Sequence, residues 1–179
     1  MGLGMKEVKI VPFNPEHHMD DYIEIYHEYI TWFSQQFIEH NNRDIYTEVG
    51  TTITDFVNNN LEPYISMKLP KGTLQILEVD GKVAGIGAIH KLSADTGEIK
   101  RMYNRPEYRG RGFGRLMLNK LLDIGRSVGC SRFLLDSQNF SFAAHNLYRS
   151  AGFSEVDDYP ESEIPVDWRQ YWKFMEMNL

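Results

Sequence analysis

Apolar residues form short runs in some segments of the chain and recur every three or four positions in others. The short runs predict β-strands over residues 6–11, 73–79, 82–90, 98–104, 132–136, 155–158 and 171–177. Between the second and third runs stands Asp80-Gly81, a dipeptide typical of a two-residue hairpin turn. We therefore expect the second and third strands to pair as an antiparallel hairpin.

Spacings of three and four residues predict α-helices elsewhere. The longest stripe follows Asn14-Pro15-Glu16, which combines a capping side chain, a proline at the first helical position and an acid near the positive helix end. Its apolar members are Met19, Tyr22, Ile23, Tyr26, Tyr29, Ile30, Phe33 and Phe37. Further helices are predicted over residues 54–61, 112–127 and 142–150. A loop is predicted over residues 159–170, which include two prolines.

Length and composition restrict the class of protein. A chain of 179 residues without repeat or linker predicts one α/β domain over residues 1–179. The single cysteine, Cys130, excludes a disulfide framework or a cysteine-rich zinc site, and it favours a cytoplasmic location. No apolar run is long enough to cross a membrane, and residues 1–6 lack an apolar signal core. Because position 6 is Lys, this start is also a poor myristoylation signal. A net charge of −6 argues against a nucleic-acid binder.

The most informative stretch is a loop of alternating glycines and arginines, at residues 105–115. Its glycines allow the backbone to approach a ligand closely, and the helix that follows presents free N–H groups at its positive end. Such a loop is a site for anions and suits a pyrophosphate. The residues concerned are Arg109, Gly110, Arg111, Gly112, Phe113, Gly114 and Arg115.

Other interpretations of this loop fit less well. A dinucleotide fingerprint has the spacing G-x-G-x-x-G, whereas the spacing here is G-x-G-x-G. A phosphate-binding P-loop requires Gly-Lys-Ser or Gly-Lys-Thr where this chain has Gly-Arg-Leu. Arginine-glycine boxes that bind RNA are usually repetitive, and this copy is single. A basic tight turn without a ligand remains open.

The motif at residues 109–114 resembles the R/Q-x-x-G-x-G/A signature of the GNAT superfamily of acetyl-CoA-dependent N-acyltransferases. Residues 98–103 and 133–136 resemble the fourth and fifth strands of that family, and residues 143–153 its A-x-x-x-L-Y-x-x-x-G-F motif. The resemblance is strong over residues 73–153. It implies a mixed, mostly antiparallel central sheet flanked by helices, in which strands four and five are parallel and splayed.

The resemblance further implies acetyl-CoA as the acyl donor, with no metal. The backbone of residues 109–115 would hold the pyrophosphate. Met102 and Tyr103 match the position where the splayed strands bind pantetheine and offer a backbone N–H to the thioester oxygen. Asn139 and Asn146 are further candidates for contact with the pantetheine arm or the adenosine end, although both could equally be surface caps.

Two residues are candidates for proton transfer. Tyr148 matches the tyrosine that often acts as general acid to the leaving thiolate; the alternative is an aromatic ring packed beneath Leu147 and Phe153. Glu98 lies where several members place a glutamate that acts as a base through water; the alternative is a solvated strand end. Tyr103, Asp136 and His90 are other candidates for the base. Because Cys130 lies at a helix end, direct attack on the thioester is preferred to a route through an acyl-cysteine.

In this family the first two helices and the late hairpin bind the acceptor. The matching segments here are rich in aromatic and acidic residues, which would suit a cationic amine, unless the rings are core and the acids ordinary surface. The resemblance thus predicts a cytoplasmic N-acetyltransferase acting on a primary amine of a small molecule or peptide. The alternative is a non-catalytic, CoA-binding regulatory module. We expect no nucleic acid or membrane as partner, and a homodimer remains open.

Overall fold

A computed structural model of the protein describes residues 7–179. The strands are β1 (Val8–Pro12), β2 (Gly72–Val79), β3 (Lys82–Lys91), β4 (Thr96–Asn104), β5 (Arg132–Gln138), β6 (Ser154–Val156) and β7 (Trp172–Asn178). The helices are α1 (Pro15–Asn41), α2 (Ile45–Glu48), α3 (Ile53–Asn59), α4 (Glu62–Ile65), α5 (Phe113–Ser127) and α6 (Phe142–Ala151). Every predicted strand and helix is present, with ends shifted by a few residues.

The strands form one seven-stranded sheet in the order β1-β2-β3-β4-β5-β7-β6. β4 and β5 are parallel, and every other neighbouring pair is antiparallel. Asp80 and Gly81 both have positive φ, and Val79 pairs with Lys82, as a two-residue hairpin turn requires. The predicted fold class, a mostly antiparallel sheet with parallel fourth and fifth strands, is confirmed.

Local chemistry accounts for the helix that starts after β1. The Asn14 side chain accepts a hydrogen bond from the Glu16 amide (2.9 Å), and α1 ends where Asn42 adopts a left-handed conformation. The predicted first strand begins later than expected, at Val8; Lys6 and the rest of residues 1–6 lie outside the described part of the chain.

Several short elements lie where none was predicted. The four-residue helix α2 is capped by the Asp44 side chain, which accepts from two following amides, and α4 is equally short. The predicted loop at residues 159–170 ends in a 3-10 helix, Val166–Tyr171. One turn of helix is too short for an apolar period to indicate it.

Helices cover both faces of the sheet. α5 and α6 pack on one face, with Leu118, Leu121 and Phe133 fully buried. α1 and the short helices α2–α4 pack on the other, around Tyr22, Ile25 and Phe37. Within residues 7–179, no helix has the length and apolar character to cross a membrane.

Candidate active site

A cleft of about 510 Å³ opens where β4 and β5 separate. Their parallel pairing runs from Thr96 with Arg132 to Ile99 with Leu135 and then stops. Beyond that point, the ends of both strands, the loop before α5 and the start of α6 become the walls of the cleft. Backbone groups that would otherwise pair across the sheet are thus free to bind a ligand.

A β-bulge shapes the β4 side of this cleft. Ala88 pairs with Lys100 and Ile86 pairs with Tyr103, so that Arg101 and Met102 together lie opposite the single residue between Ile86 and Ala88. Arg101 has a positive φ of 54°, which is rare for a residue with a side chain. As a result, the side chains of two consecutive residues, Lys100 and Arg101, both extend toward the α1 face of the sheet.

The glycine-arginine loop leads into α5, and the Gly114 amide faces the Asn104 side chain at 3.2 Å. Gly112 is the N-cap and has no side chain to cap the helix, and the first helical bond joins the Leu116 amide to the Gly112 carbonyl (3.1 Å). The amides of residues 113–115 therefore have no helical acceptor. Gly110 and Gly112 have φ of 72° and 80°, and a Cβ on either would meet no heavy atom within 4 Å. The loop thus offers an open, positively polarised cradle that fits a pyrophosphate.

Tyr148 lies opposite the bulge. It is on α6, is almost fully buried, and its hydroxyl lies 4.0 Å from the Met102 sulfur. Burial raises the pKa of Tyr148 well above 10, so the phenol holds its proton at neutral pH. Tyr148 therefore holds a proton beside Met102 on the wall of the cleft.

Acidic groups gather on the α1 face beside the splay. The Tyr159 hydroxyl lies 2.9 Å from Glu98 Oε1 and 3.3 Å from Asp136 Oδ2. The Lys100 ammonium lies 3.3 Å from both Glu98 and Glu163, and 3.5 Å from Asp136. Burial raises the pKa of Glu98 to about 7; the nearby Asp136 charge also raises it, and Lys100 opposes the rise. Glu98 can therefore gain or lose a proton near neutral pH.

The structure brings most of the predicted site residues to the cleft wall. Those on the wall are Met102, Tyr103, Arg109, Gly110, Gly112, Gly114, Arg115 and Tyr148. Tyr103 donates from its hydroxyl to Glu28 Oε1 (3.0 Å), and Arg109 Nε donates to the Asn104 carbonyl (3.0 Å).

Five predicted residues lie off the wall. Two of them, Arg111 and Phe113, are in the loop and at the start of α5. Asn139 precedes α6, and Asn146 is on it; the Asn146 side chain accepts a hydrogen bond from Arg149 (3.4 Å). Glu98 lies behind Asp136 and is 1% exposed, so the solvated strand end considered for it is wrong.

Sequence reasoning missed a role for Lys100 and Arg101, which line the cleft. It also assigned the aromatic rings to a cationic amine or to the core, whereas arginines of the chain itself lie over several of them. Arg101 lies over Tyr26 and Tyr64, Arg109 over Trp32 and Tyr103, and Arg43 over Trp168 and Tyr171. The signal in the sequence was a basic pair, Lys100-Arg101, inside the predicted fourth strand.

Comparison with known proteins places this geometry among acetyltransferases. A sequence model described as the acetyltransferase (GNAT) family matches residues 22–153. The amino-acid acetyltransferase of Mycobacterium tuberculosis is 36% identical over 81 residues, which is 45% of this chain and 43% of that protein. The chain spans about half the length of the curated relatives that it matches.

Solved structures share the fold across nearly the whole chain. An acetyltransferase of the GNAT family from Staphylococcus aureus has a TM-score of 0.68 at 20% identity, covering 97% of this chain and 99% of that one. The PaiA N-acetyltransferase of Thermoplasma acidophilum, solved in complex with coenzyme A, has a TM-score of 0.66 at 17% identity, with the same coverage.

Proposed function

The chain belongs to the acetyltransferase (GNAT) family, and from this membership we propose that it transfers acetyl from acetyl-CoA to a primary amine by direct attack. The observation that carries the proposal is the cleft itself. It joins the uncapped start of α5, two separated strands and a protonated tyrosine in one continuous cavity. A small molecule or a peptide terminus would supply the amine.

The loop before α5 and the separated strands would bind the donor. The amides of residues 113–115 and the side chains of Arg109 and Arg115 suit the pyrophosphate, because they combine N–H donors with positive charge. The backbone of Met102 and Tyr103 suits the pantetheine arm. When bound, acetyl-CoA supplies an acetyl group activated as a thioester.

Tyr148 would donate its proton to the departing sulfur. Its hydroxyl lies beside the bulge, and its raised pKa keeps the proton on the oxygen at neutral pH. The hydroxyl can therefore donate a hydrogen bond, and then its proton, to the sulfur as negative charge develops there while the carbon–sulfur bond breaks.

Asp136 and Glu98 would together accept the proton that the amine must lose. Asp136 is on the cleft wall, and the Tyr159 hydroxyl touches both carboxylates. A proton received at Asp136 can pass to the Tyr159 oxygen while the Tyr159 proton moves to Glu98. The pKa of Glu98, about 7, suits a group that must take up and release protons near neutral pH.

Thiol release tests the proposed transfer. Protein and acetyl-CoA are incubated with a panel of primary amines, and free thiol is followed with a thiol-reactive chromophore. We expect release with at least one amine, and we expect Tyr148→Phe to lower kcat roughly 100-fold while the Kd of CoA stays within about twofold. The matched control is Tyr46→Phe, another buried tyrosine that lies in the core of the α1 face, outside the cleft.

Two outcomes would contradict the proposal. If CoA binds but no amine in a broad panel yields thiol, the chain acts as a CoA-binding module. If thiol is released and Tyr148→Phe reacts as fast as the unchanged protein, Tyr148 is not the general acid.

A further inference from the structure

Arg101 is a largely buried cation without an anionic partner. Its Nη1 donates to the Tyr22 hydroxyl (2.9 Å) and its Nη2 to the Asn60 carbonyl (2.8 Å), both neutral acceptors. The guanidinium carbon lies 3.9 Å from the Tyr26 ring centroid and 3.6 Å from that of Tyr64. Among residues 7–179, no carboxylate oxygen lies within 4.0 Å of this guanidinium.

This arrangement has a cost that its own contacts do not explain. A buried charge is normally paired with an opposite charge, because its removal from water is expensive. In addition, the left-handed backbone at Arg101 is unfavourable for a residue with a side chain. Strained backbone that holds a charged side chain at a cavity wall is a feature of ligand sites.

The two rings fix the plane of the guanidinium. Held between Tyr26 and Tyr64, and anchored at Tyr22 and Asn60, the group cannot turn to reach a distant carboxylate. Its remaining N–H donors belong to a residue that lines the cleft. A planar donor set held in one orientation suits the two oxygens of a carboxylate.

Lys100, the residue before Arg101, is surrounded by acidic side chains. Lys100 lies within 3.5 Å of Glu98, Asp136 and Glu163, so three acids surround one ammonium. Asp136 and Arg101 thus both line the cleft from adjacent strands, and their side chains carry opposite charges. An acceptor with one ammonium and one carboxylate complements both.

Resting on the transfer reaction proposed above, we propose that the acceptor is an amino acid whose carboxylate binds Arg101 while its amine faces Asp136. Arg101 is thus a specificity-determining residue. The reaction balances as follows: the ammonium gives one proton to the acidic cluster, the free amine nitrogen bonds to the acetyl carbon, and the carbon–sulfur bond breaks. Tyr148 protonates the sulfur, and the second proton lost by the nitrogen passes to solvent, from which Tyr148 regains its own. The carboxylate takes no part in these bonds.

Matched acid and amide pairs test this inference. Glutamate, lysine, phenylalanine and methionine are each compared with their α-carboxamides, which keep the shape and lose the negative charge. Two quantities are measured: kcat/KM for thiol release, and the Kd for binding to the CoA-saturated protein by calorimetry. For at least one pair, we expect the acid to be favoured over the amide by roughly 10- to 100-fold in both measurements.

Variants of Arg101 then test whether this residue binds the carboxylate of the acceptor. Amidation also changes the basicity of the amine. The decisive comparison is therefore between proteins: the kcat/KM of the acid divided by that of its amide, measured in the unchanged protein and in Arg101→Met. We expect this acid-to-amide ratio to fall toward one in Arg101→Met and to be retained in part in Arg101→Lys. Arg126→Gln, an exposed arginine of α5 paired with Asp123, serves as the control and should keep the full ratio.

The outcomes separate this inference from the proposed transfer. Equal binding of acids and amides, an unchanged ratio in Arg101→Met, or no binding by any acid of the panel would each overturn it. If Arg101→Met fails to fold, the acid and amide pairs with the unchanged protein still decide. If acids bind through Arg101 but no amine releases thiol, the transfer reaction fails and the carboxylate site stands.

Discussion

Glu98 and Asp136 lie on neighbouring strands and meet at the hydroxyl of Tyr159, yet their surroundings differ. Asp136 reaches the cleft wall, whereas Glu98 is 1% exposed and lies beneath Tyr159. At the scale of the residue, burial is the largest cause of the raised pKa of Glu98. A carboxyl with a pKa of about 7 is divided between its two protonation states at neutral pH.

This difference predicts the pH dependence of acetyl transfer. As a base, Glu98 must be ionised, so kcat/KM should rise as the pH increases through about 7 and level off above it. In Glu98→Gln this rise should disappear and the plateau should fall by roughly 10- to 1000-fold. The measurement is kcat/KM for thiol release between about pH 5.5 and pH 9, with initial rates corrected for spontaneous hydrolysis.

Glu163→Gln is the matched control for that profile. Glu163 also lies 3.3 Å from the Lys100 ammonium, but its side chain is 69% exposed and it does not contact Tyr159. Its variant should keep the rise near pH 7. A Glu98→Gln profile that retains the same rise would assign the base to another group.

At the scale of the element, the glycines of the loop before α5 and the helix N-terminus act together. The positive φ of Gly112 ends the loop and starts the helix, so that the amides of residues 113–115 point out of the chain. A side chain at this position would strain the backbone and stand in the space that the ligand is proposed to use.

We therefore predict that Gly112→Ala raises the Kd of CoA by at least about tenfold, measured by calorimetry. The strain should also lower the free energy of unfolding by about 1–2 kcal/mol. The matched control is Gly81→Ala in the β2–β3 hairpin, where φ is also positive (75°) and no heavy atom lies within 4 Å of the added Cβ. It should lose similar stability and keep its affinity for CoA. Equal Kd values for both variants would count against the loop as the pyrophosphate site.

At the scale of the whole molecule, the fold and the loop before α5 could be predicted because their signals are local. The hairpin at Asp80-Gly81, the cap at Asn14 and the loop at residues 109–115 each depend on a few adjacent residues. The acceptor side could not, because it depends on distant contacts. The hydroxyl that touches Glu98 comes from Tyr159, 61 residues later, and the positive φ of the bulge falls on Arg101 rather than on a glycine.

The free energy of unfolding is also a property of the whole molecule, and the buried His145 makes it depend on pH. His145 is 1% exposed on α6, and in residues 7–179 neither ring nitrogen has a hydrogen-bond partner of good geometry. Burial lowers the pKa of His145, and the nearby Lys173 and Arg149 charges lower it further. The unfolded chain, with a histidine pKa of about 6.5, then binds a proton more readily than the folded protein does. Protonation of the buried imidazole therefore costs no stability above about pH 6.5, and the folded protein loses stability relative to the unfolded chain as the pH falls below that value.

His145→Leu should remove the loss of folding stability that His145 causes at acid pH. We expect the free energy of unfolding of the variant, measured by urea denaturation, to exceed that of the unchanged protein by more at about pH 5 than at about pH 7.5. The comparison between the two pH values cancels any effect of altered packing, which is the same at both. His17→Gln, an exposed histidine on α1, should show no such difference between the two pH values. An equal offset for His145→Leu at both pH values would mean that the buried imidazole does not oppose protonation, and that acid unfolding of this fold begins elsewhere.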